Sequence, residues 1–316
     1  MVTLEVRIGK LRLKNPVMAA SGTFGPEYGE LVDINKLGAY IAKTITLNER
    51  VGNPPPRVVD TPSGMLNAIG LENKGLDDFV KNKLPKLKNI KIPIIASIAG
   101  VNAAEFGKLA KVLSRTERIA AIEINLSCPN APYSPRGRRA CPNVQHGKRD
   151  FLIAQNESAT RQIVEAARKA ASLTIIAKLS PNVTDITRIA KAAEEAGADA
   201  VSLINTFIGM AVDIETRRPV LGNVTGGLSG PAIKPIALRM VRETYEKVKI
   251  PIIGIGGIMD YKDAVEFILC GASAIQVGTA NFVNPRASIE IIEGVKKYMA
   301  KHKISGIKEL TGALRK

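Results

Sequence analysis

Eight short runs of apolar, β-favouring residues recur along the chain, at 15–21, 39–46, 92–99, 120–127, 173–180, 198–205, 250–257 and 273–280. They lack the polar alternation of a half-exposed strand, so both faces of each are expected to be covered, as in a parallel sheet. Helical spacing follows most of them, over 76–87, 103–114, 157–171, 185–196, 232–248, 262–269 and 286–300, with a short, weak pattern near 27–34. Parallel neighbours need a crossover, and a helix between successive strands supplies it. Eight such units in 316 residues predict an α/β fold, a (β/α)8 TIM barrel over 1–316 as a single domain, with its site at the carboxyl ends of the strands. A doubly wound sheet would place a G-x-G-x-x-G turn after the first strand, whereas Ser21-Gly22-Thr23-Phe24-Gly25-Pro26 has another spacing. Residues 2–14 read as an N-terminal hairpin turning at Gly9-Lys10, placed to cap the bottom of the barrel. Segments 48–74, 128–156 and 207–230 exceed ordinary connections and are expected to be functional loops over the C-terminal face. The third holds strand-like pieces at 212–215 and 219–221.

Composition narrows the function. With 45% hydrophobic and 23% charged residues the chain can fill a large core, and no apolar run approaches the ~18 residues of a spanning helix. The first residues form neither a basic-then-apolar leader nor an Arg-rich amphipathic one, so the expected location is cytoplasmic, with no membrane partner. Cys128, Cys141 and Cys270 close no disulfide framework and are too few for the usual iron–sulfur ligand set, so any cluster is expected on another chain. The net charge of +16 would draw any polyanion, yet aromatics are only 4%, Trp is absent, and the lysines are scattered instead of interleaved with stacking residues. A solvated basic surface is the expectation, with neither a nucleic-acid partner nor a metal site.

On a barrel, polar residues at strand tips are site candidates. Here the tips carry Ser21-Gly22, Lys43-Thr44, Ser97, Asn125 followed by Ser127-Cys128, Lys178, Asn205-Thr206, Gly256-Gly257 and Gly278-Thr279. Glycine turns after strands seven and eight are where barrels hold a phosphate on bare backbone N–H groups. Lys43 and Lys178 end otherwise apolar strands, where an unpaired ammonium is costly to desolvate, so something anionic is expected to meet them. A flavin fits, since one cation beside its pyrimidine edge stabilises the reduced form and a second holds a substrate carboxylate. Cys128 is the candidate for reactive chemistry. With His146 and His302 the only histidines and neither placed to form a Cys–His pair, acyl transfer is disfavoured. Cys270, within Phe267-Ile268-Leu269-Cys270, reads as a core filler.

Six strings carry a resemblance: Asn67-Ala68-Ile69-Gly70-Leu71, Asn125-Leu126-Ser127-Cys128-Pro129-Asn130, Lys178-Leu179-Ser180-Pro181-Asn182-Val183, Ile204-Asn205-Thr206, the 225–235 stretch Thr225-Gly226-Gly227-Leu228-Ser229-Gly230 through Pro235, and Val277-Gly278-Thr279-Ala280-Asn281-Phe282. In this order and spacing the chain resembles the dihydroorotate dehydrogenases, specifically the catalytic subunit of the NAD-linked two-subunit class. The resemblance implies an FMN barrel that oxidises dihydroorotate to orotate in pyrimidine synthesis. It makes Cys128 the base that removes the C5 proton while hydride leaves C6 for flavin N5. It places substrate on Lys43, Asn67, Ala68, Ile69, Gly70, Leu71, Asn125, Asn130, Asn205 and Thr206. It places FMN on Ser21, Lys43, Thr44, Ser97, Asn125, Lys178, Ile204 and Gly230, with its phosphate on Gly256, Gly257, Gly278 and Thr279. It further implies a homodimer and a partner subunit carrying FAD and an iron–sulfur cluster.

Three departures stand out. Residues 131–143 look inserted and Cys141-Pro142-Asn143 repeats Cys128-Pro129-Asn130, so either cysteine could abut Val144-Gln145-His146-Gly147. Cys128 is preferred because its distance from Asn125 is fixed. Ser97 stands where many relatives place Asn, and Glu72 where Gln is commoner. The competing readings are a fumarate-dependent oxidase, a flavin barrel reducing uracil or dihydrouridine, and a phosphate-binding barrel without catalysis.

Overall fold

The computed structural model of the chain describes residues 2–126 and 153–315. All eight barrel strands form, at Val17–Ala19, Tyr40–Ile41, Ile94–Ile98, Ile119–Asn125, Thr174–Lys178, Ala200–Leu203, Ile252–Ile255 and Ala272–Val277. Each is shorter than the apolar run that announced it. They pair in parallel in the order one, eight, seven, six, five, four, three, two. A parallel bridge between Met18 and Ala39 joins the first strand to the approach of the second and completes the ring. The second strand is short because its ladder is interrupted. Ala42 N donates to Ile95 O and Ile45 N to Ser97 O, both at 2.9 Å, which leaves Lys43 and Thr44 between two anchored points.

Helices Ala103–Ser114, Glu157–Ala170, Ile186–Glu195, Lys234–Tyr245, Tyr261–Leu269 and Ala287–Lys301 surround the sheet, as the spacing predicts. Asn102, Asn156, Asp185 and Asp260 cap four of them by accepting backbone N–H bonds on their side chains. Two expectations change. The 76–87 segment runs from α-helix through a π turn, Phe79–Lys83, into a 3-10 turn, Leu84–Leu87, where Pro85 lacks the N–H that would continue the α ladder. The weak pattern near 27–34 yields 3-10 turns at Pro26–Glu30 and Ile34–Lys36.

The hairpin Val6–Ile8 and Leu11–Leu13 seats Ile8, Leu11 and Leu13 against Met18, Ile41, Ile95, Ala121, Ile176, Ala200, Ile253 and Ala274. This apolar layer fills the bottom of the barrel. Residues two apart on a strand face the same side, so on five of the eight strands the next position up is buried and polar: Ser97, Glu123, Lys178, Ser202 and Gln276.

Segments read as loops supply further strands. Val58–Thr61 and Gly64–Asn67 join Phe207–Met210 and Thr225–Ser229 in an antiparallel sheet of four. Gly226 and Gly227 disguise the last of these strands, yet a Cβ on Gly227 would lie 2.1 Å from Thr206 Oγ1, so packing demands glycine there. Val212–Asp213 pairs with Arg218–Pro219, which overlaps the strand-like pieces read at 212–215 and 219–221 but begins one residue early, at Arg218. Among the described residues no helix is long and apolar enough to cross a membrane.

Candidate functional site

Above the polar layer, at the carboxyl ends of the strands, opens a cavity of about 480 Å3. That size falls within the roughly 300–1,000 Å3 range of small-molecule and cofactor sites. Its wall includes Ser21, Lys43, Thr44, Asn67, Ile69, Gly70, Leu71, Asn125, Lys178, Ile204, Asn205, Thr206, Gly230, Gly256, Gly257, Gly278 and Thr279. Residues separated by up to 258 positions thus meet because eight strand ends and the antiparallel sheet share one rim.

Local bonds fix their orientation. Asn205 Nδ2 donates to Asn125 Oδ1 at 3.4 Å, and Asn205 Oδ1 accepts Thr206 N at 2.8 Å, so the two amides lie side by side. Asn67 Nδ2 donates to Gly227 O at 3.2 Å, a bond to its partner on the adjacent strand of the antiparallel sheet that fixes the amide at the cavity wall. After Asn67 the chain passes Gly70 and Leu71 with φ of 75° and 58°. A left-handed Leu is uncommon, and both residues line the cavity. Ser21 Oγ donates to Ala42 O at 2.8 Å and lies 3.3 Å from Thr44 Oγ1. At the far end Thr279 Oγ1 donates to Ser229 Oγ at 2.9 Å.

The two lysines differ. Lys178 is 7% exposed, with Gln276 Oε1 3.3 Å and Glu123 Oε1 3.6 Å from its Nζ. The anion expected to meet it is therefore present in the protein, on the neighbouring strand. Lys43 is exposed, not buried, because its side chain opens onto cavity space, whereas Thr44 in the same break of the ladder is buried. It borders both this cavity and a second of about 440 Å3, which it shares with Gly22, Thr23, Thr44 and Phe282. Burial, with a smaller contribution from Glu27, pushes the Tyr40 phenol well above its ordinary range in that second cavity.

Two expected contacts lie off the wall. Ala68 is wholly buried in a small core with Leu66 and Leu221, because the strand's alternation turns it away from the cavity. Ser97 is wholly buried too and bonds Thr44 across 2.9 Å, which places it behind the wall as support for Thr44. Cys128 and Asn130, with Cys141 and the 131–143 stretch, lie outside the described residues. Cys270 packs partly buried against the main core, and burial raises its thiol, in keeping with a core filler. Glu72 pairs with Arg57 at 2.5 Å, so the unusual acid beside the Ile69–Leu71 turn has its own counter-charge.

Several wall residues escaped the sequence reading. Met65 and Val58 come from strands hidden in a long segment, Met259 follows the Gly256-Gly257 turn, and Ser229 and Phe282 stand within the motif strings without having been given a role. Lys234 sits beneath the Gly257 turn, where its hydrogen bond to Asp263 at 2.6 Å holds the ammonium above its usual range. Among the described residues no group of three or more His, Cys, Asp or Glu is placed to hold a metal. What the cavity offers is a glycine-rich end, the three side-chain amides of Asn67, Asn125 and Asn205, and two lysines.

Known proteins share this sequence closely. The family described as dihydroorotate dehydrogenase matches residues 3–138 and 139–299, the two stretches abutting within the segment that reads as inserted. A protein of Bacteroides thetaiotaomicron named "Dihydroorotate dehydrogenase B (NAD(+)), catalytic subunit" is 50% identical over 316 residues, 99% of each chain. Proteins of the same name from Trichlorobacter lovleyi and Caldicellulosiruptor bescii are each 51% identical, over 313 residues (98% of each chain) and 315 residues (99% of each chain). Identity of that extent across nearly the whole length, on the barrel whose rim gathers the motif residues, leads to one conclusion: the chain belongs to the dihydroorotate dehydrogenase family.

Proposed function

We propose that this chain is the catalytic subunit of an NAD-linked dihydroorotate dehydrogenase, oxidising (S)-dihydroorotate to orotate in de novo pyrimidine synthesis in the cytoplasm. The observation that carries the reading is the convergence of Asn67, Asn125, Asn205 and Thr206 with Lys43 and Lys178 on one cavity. Amides suit a ring of alternating N–H and C=O groups, and a cation suits its carboxylate.

FMN is the proposed cofactor, and Gly278 tests the fit. Its φ lies outside the left-handed range, and a Cβ there would meet only Ala20 Cβ and Thr23 Cγ2 at 3.9 Å, an ordinary contact distance. Neither conformation nor packing requires glycine, so the missing side chain leaves wall space that an approaching phosphate would use. Gly257 differs, since its φ is 75° and a Cβ would fall 2.8 Å from Lys234 Cβ. Gly256, Gly257, Gly278 and Thr279 would hold the phosphate, and Ser21, Thr44, Asn125, Lys178, Ile204 and Gly230 the ring system. When bound, FMN supplies the two-electron acceptor.

The chain's own residues do the rest. Lys43 and the Asn67–Leu71 turn orient the substrate, and the Asn125–Asn205 pair fixes the plane of its ring. The proposed base is Cys128, whose thiolate would take the proton next to the ring carbonyl. A partner subunit with FAD and an iron–sulfur cluster would pass electrons to NAD, and the catalytic chain would form a homodimer.

The purified protein is expected to be yellow and to bleach on anaerobic addition of dihydroorotate. A colourless protein that takes up no FMN, or a yellow one indifferent to dihydroorotate, overturns the proposal. Cys128→Ser is expected to slow bleaching by a factor on the order of 100 or more at neutral pH, whereas Cys141→Ser is expected to leave it within about twofold of the wild type.

A further inference from the structure

Beneath the cavity lies a charged residue that the reading above leaves without a role. Glu123, on strand four, is wholly buried. Its Oε2 accepts Gln276 Nε2 at 2.5 Å and Ser202 Oγ at 3.2 Å. Its Oε1 lies 3.6 Å from Lys178 Nζ and receives no hydrogen bond from any described group. Gln276 Oε1, in turn, lies 3.3 Å from Lys178 Nζ. Strands four, five, six and eight thus contribute one residue each to a closed polar cluster, of which Lys178 alone reaches the cavity.

Stability does not account for this arrangement. Removing two charges from water is costly, and well-packed apolar residues commonly stabilise a core as well or better than a buried ion pair. The layer below shows that this barrel packs apolar residues without difficulty. The geometry is also not that of a maximally strong pair. A charge-assisted N–H···O bond closes to about 2.7–2.9 Å, whereas Glu123 stays at 3.6 Å and spends its other oxygen on Gln276 and Ser202. Held that way, the carboxylate tempers the Lys178 charge without capturing its donors, and the ammonium keeps donor capacity for the cavity.

We propose that Glu123 is a positioning residue that acts through Lys178, aiming its ammonium at the cavity and setting how much positive charge the site presents to the bound flavin. The proposal rests on the FMN reading and deepens it. A negative charge so close to Lys178 offsets part of its field. Because the reduced flavin is the more negative form, Glu123 holds the midpoint potential below the value that Lys178 alone would give.

The test is a reductive titration of the FMN-loaded protein against a reference dye, together with FMN affinity measured by fluorescence quenching. Glu123→Gln keeps the shape and removes the charge. It is expected to raise the midpoint potential by about 30 mV, a tenfold gain for reduced over oxidised flavin in a two-electron couple, with the affinity for oxidised FMN within about twofold. Glu123→Asp, read by the same titration, withdraws the carboxylate from Lys178 and is expected to shift the potential in the same direction by a smaller step, so the proposal stays testable if Glu123→Gln does not fold. Lys178→Gln is expected to lower the potential. An unchanged or lowered potential in both Glu123 variants overturns the proposal, as does equal weakening of oxidised and reduced flavin, the mark of a merely structural role. If the wild-type protein binds no FMN, the cofactor reading itself falls. If it binds FMN and Lys178→Gln lowers the potential while the Glu123 variants do nothing, the inference alone fails.

Discussion

Two layers of the same barrel interior, one turn of side-chain alternation apart, behave as different materials. Ala121, Ile176, Ala200, Ile95 and Ala274 pack beneath the hairpin residues Ile8 and Leu13 as an apolar plug. Two positions further along the same five strands come Glu123, Lys178, Ser202, Ser97 and Gln276, equally buried and bonded to one another or to Thr44. Burial alone therefore does not decide polarity here. The lower layer is enclosed by protein on every side, while the upper one lies directly beneath the cavity and reaches it through Lys178.

Substitutions that exchange the character of the two layers test this most severely. Ala121→Glu moves a carboxylate one layer down from Glu123, to a place where the described neighbours offer no cation, and it is expected to abolish soluble folding, as read by yield and circular dichroism. Lys178→Met leaves Glu123 buried without its counter-charge and is expected to cost about 3–5 kcal/mol in chemical denaturation, most of which Lys178→Met combined with Glu123→Leu recovers. Failure of the double variant to recover would mean that the upper layer needs its charges for folding as well as for the ligand. Ile176→Ala opens a hole in the lower layer and is expected to cost about 2–5 kcal/mol, with FMN affinity within about twofold of the wild type.

Smaller changes sharpen the contrast. Ser97→Ala removes the hydroxyl partner of Thr44 and is expected to cost about 1 kcal/mol, with a measurable loss of FMN affinity because Thr44 lines the cavity. Asp185→Ala, outside both layers, serves as the control. It removes a helix cap and is expected to cost about 0.5–1 kcal/mol with no change in FMN affinity. The Thr187 hydroxyl, bonded to the Asp185 carboxylate, holds that acid below its ordinary 3.8. A lowered folded value means the contribution is present above about pH 4 and disappears as pH falls through the folded value. The stability gap between Asp185→Ala and the parent is therefore expected to close in acid, as followed by denaturation at pH 7 and below pH 3.

The eight strands were legible because each is covered on both faces and so reads as an unbroken apolar run, and the hairpin because Gly9-Lys10 separates two alternating stretches. The antiparallel sheet over the rim was not legible. Phe207–Met210 and Thr225–Ser229 are short, and Gly226-Gly227 suppresses the strand signal for a reason visible only when Thr206 is seen packed against it. Site residues at strand tips were found by position, since a polar side chain ending an apolar run is costly to bury unless a ligand or a polar neighbour meets it. Ala68 was carried along by its motif, although alternation turns it into the small core with Leu66. Glu123 was passed over because it lies inside Ile119–Asn125 and not at its tip, although its burial is as costly as that of Lys178. Its partners Lys178, Ser202 and Gln276 lie 55, 79 and 153 positions away.

The order of residues alone decides the number of strands, the helices between them and the end of the barrel where polar groups collect, because each follows from periodicity within a few turns of chain. Only the closed barrel decides which polar groups touch. Lys43 opens onto cavity space, Ser97 withdraws behind Thr44, and Glu123 comes to rest beside Lys178. These outcomes depend on ring closure bringing distant strands into register, and no short stretch of sequence carries that information.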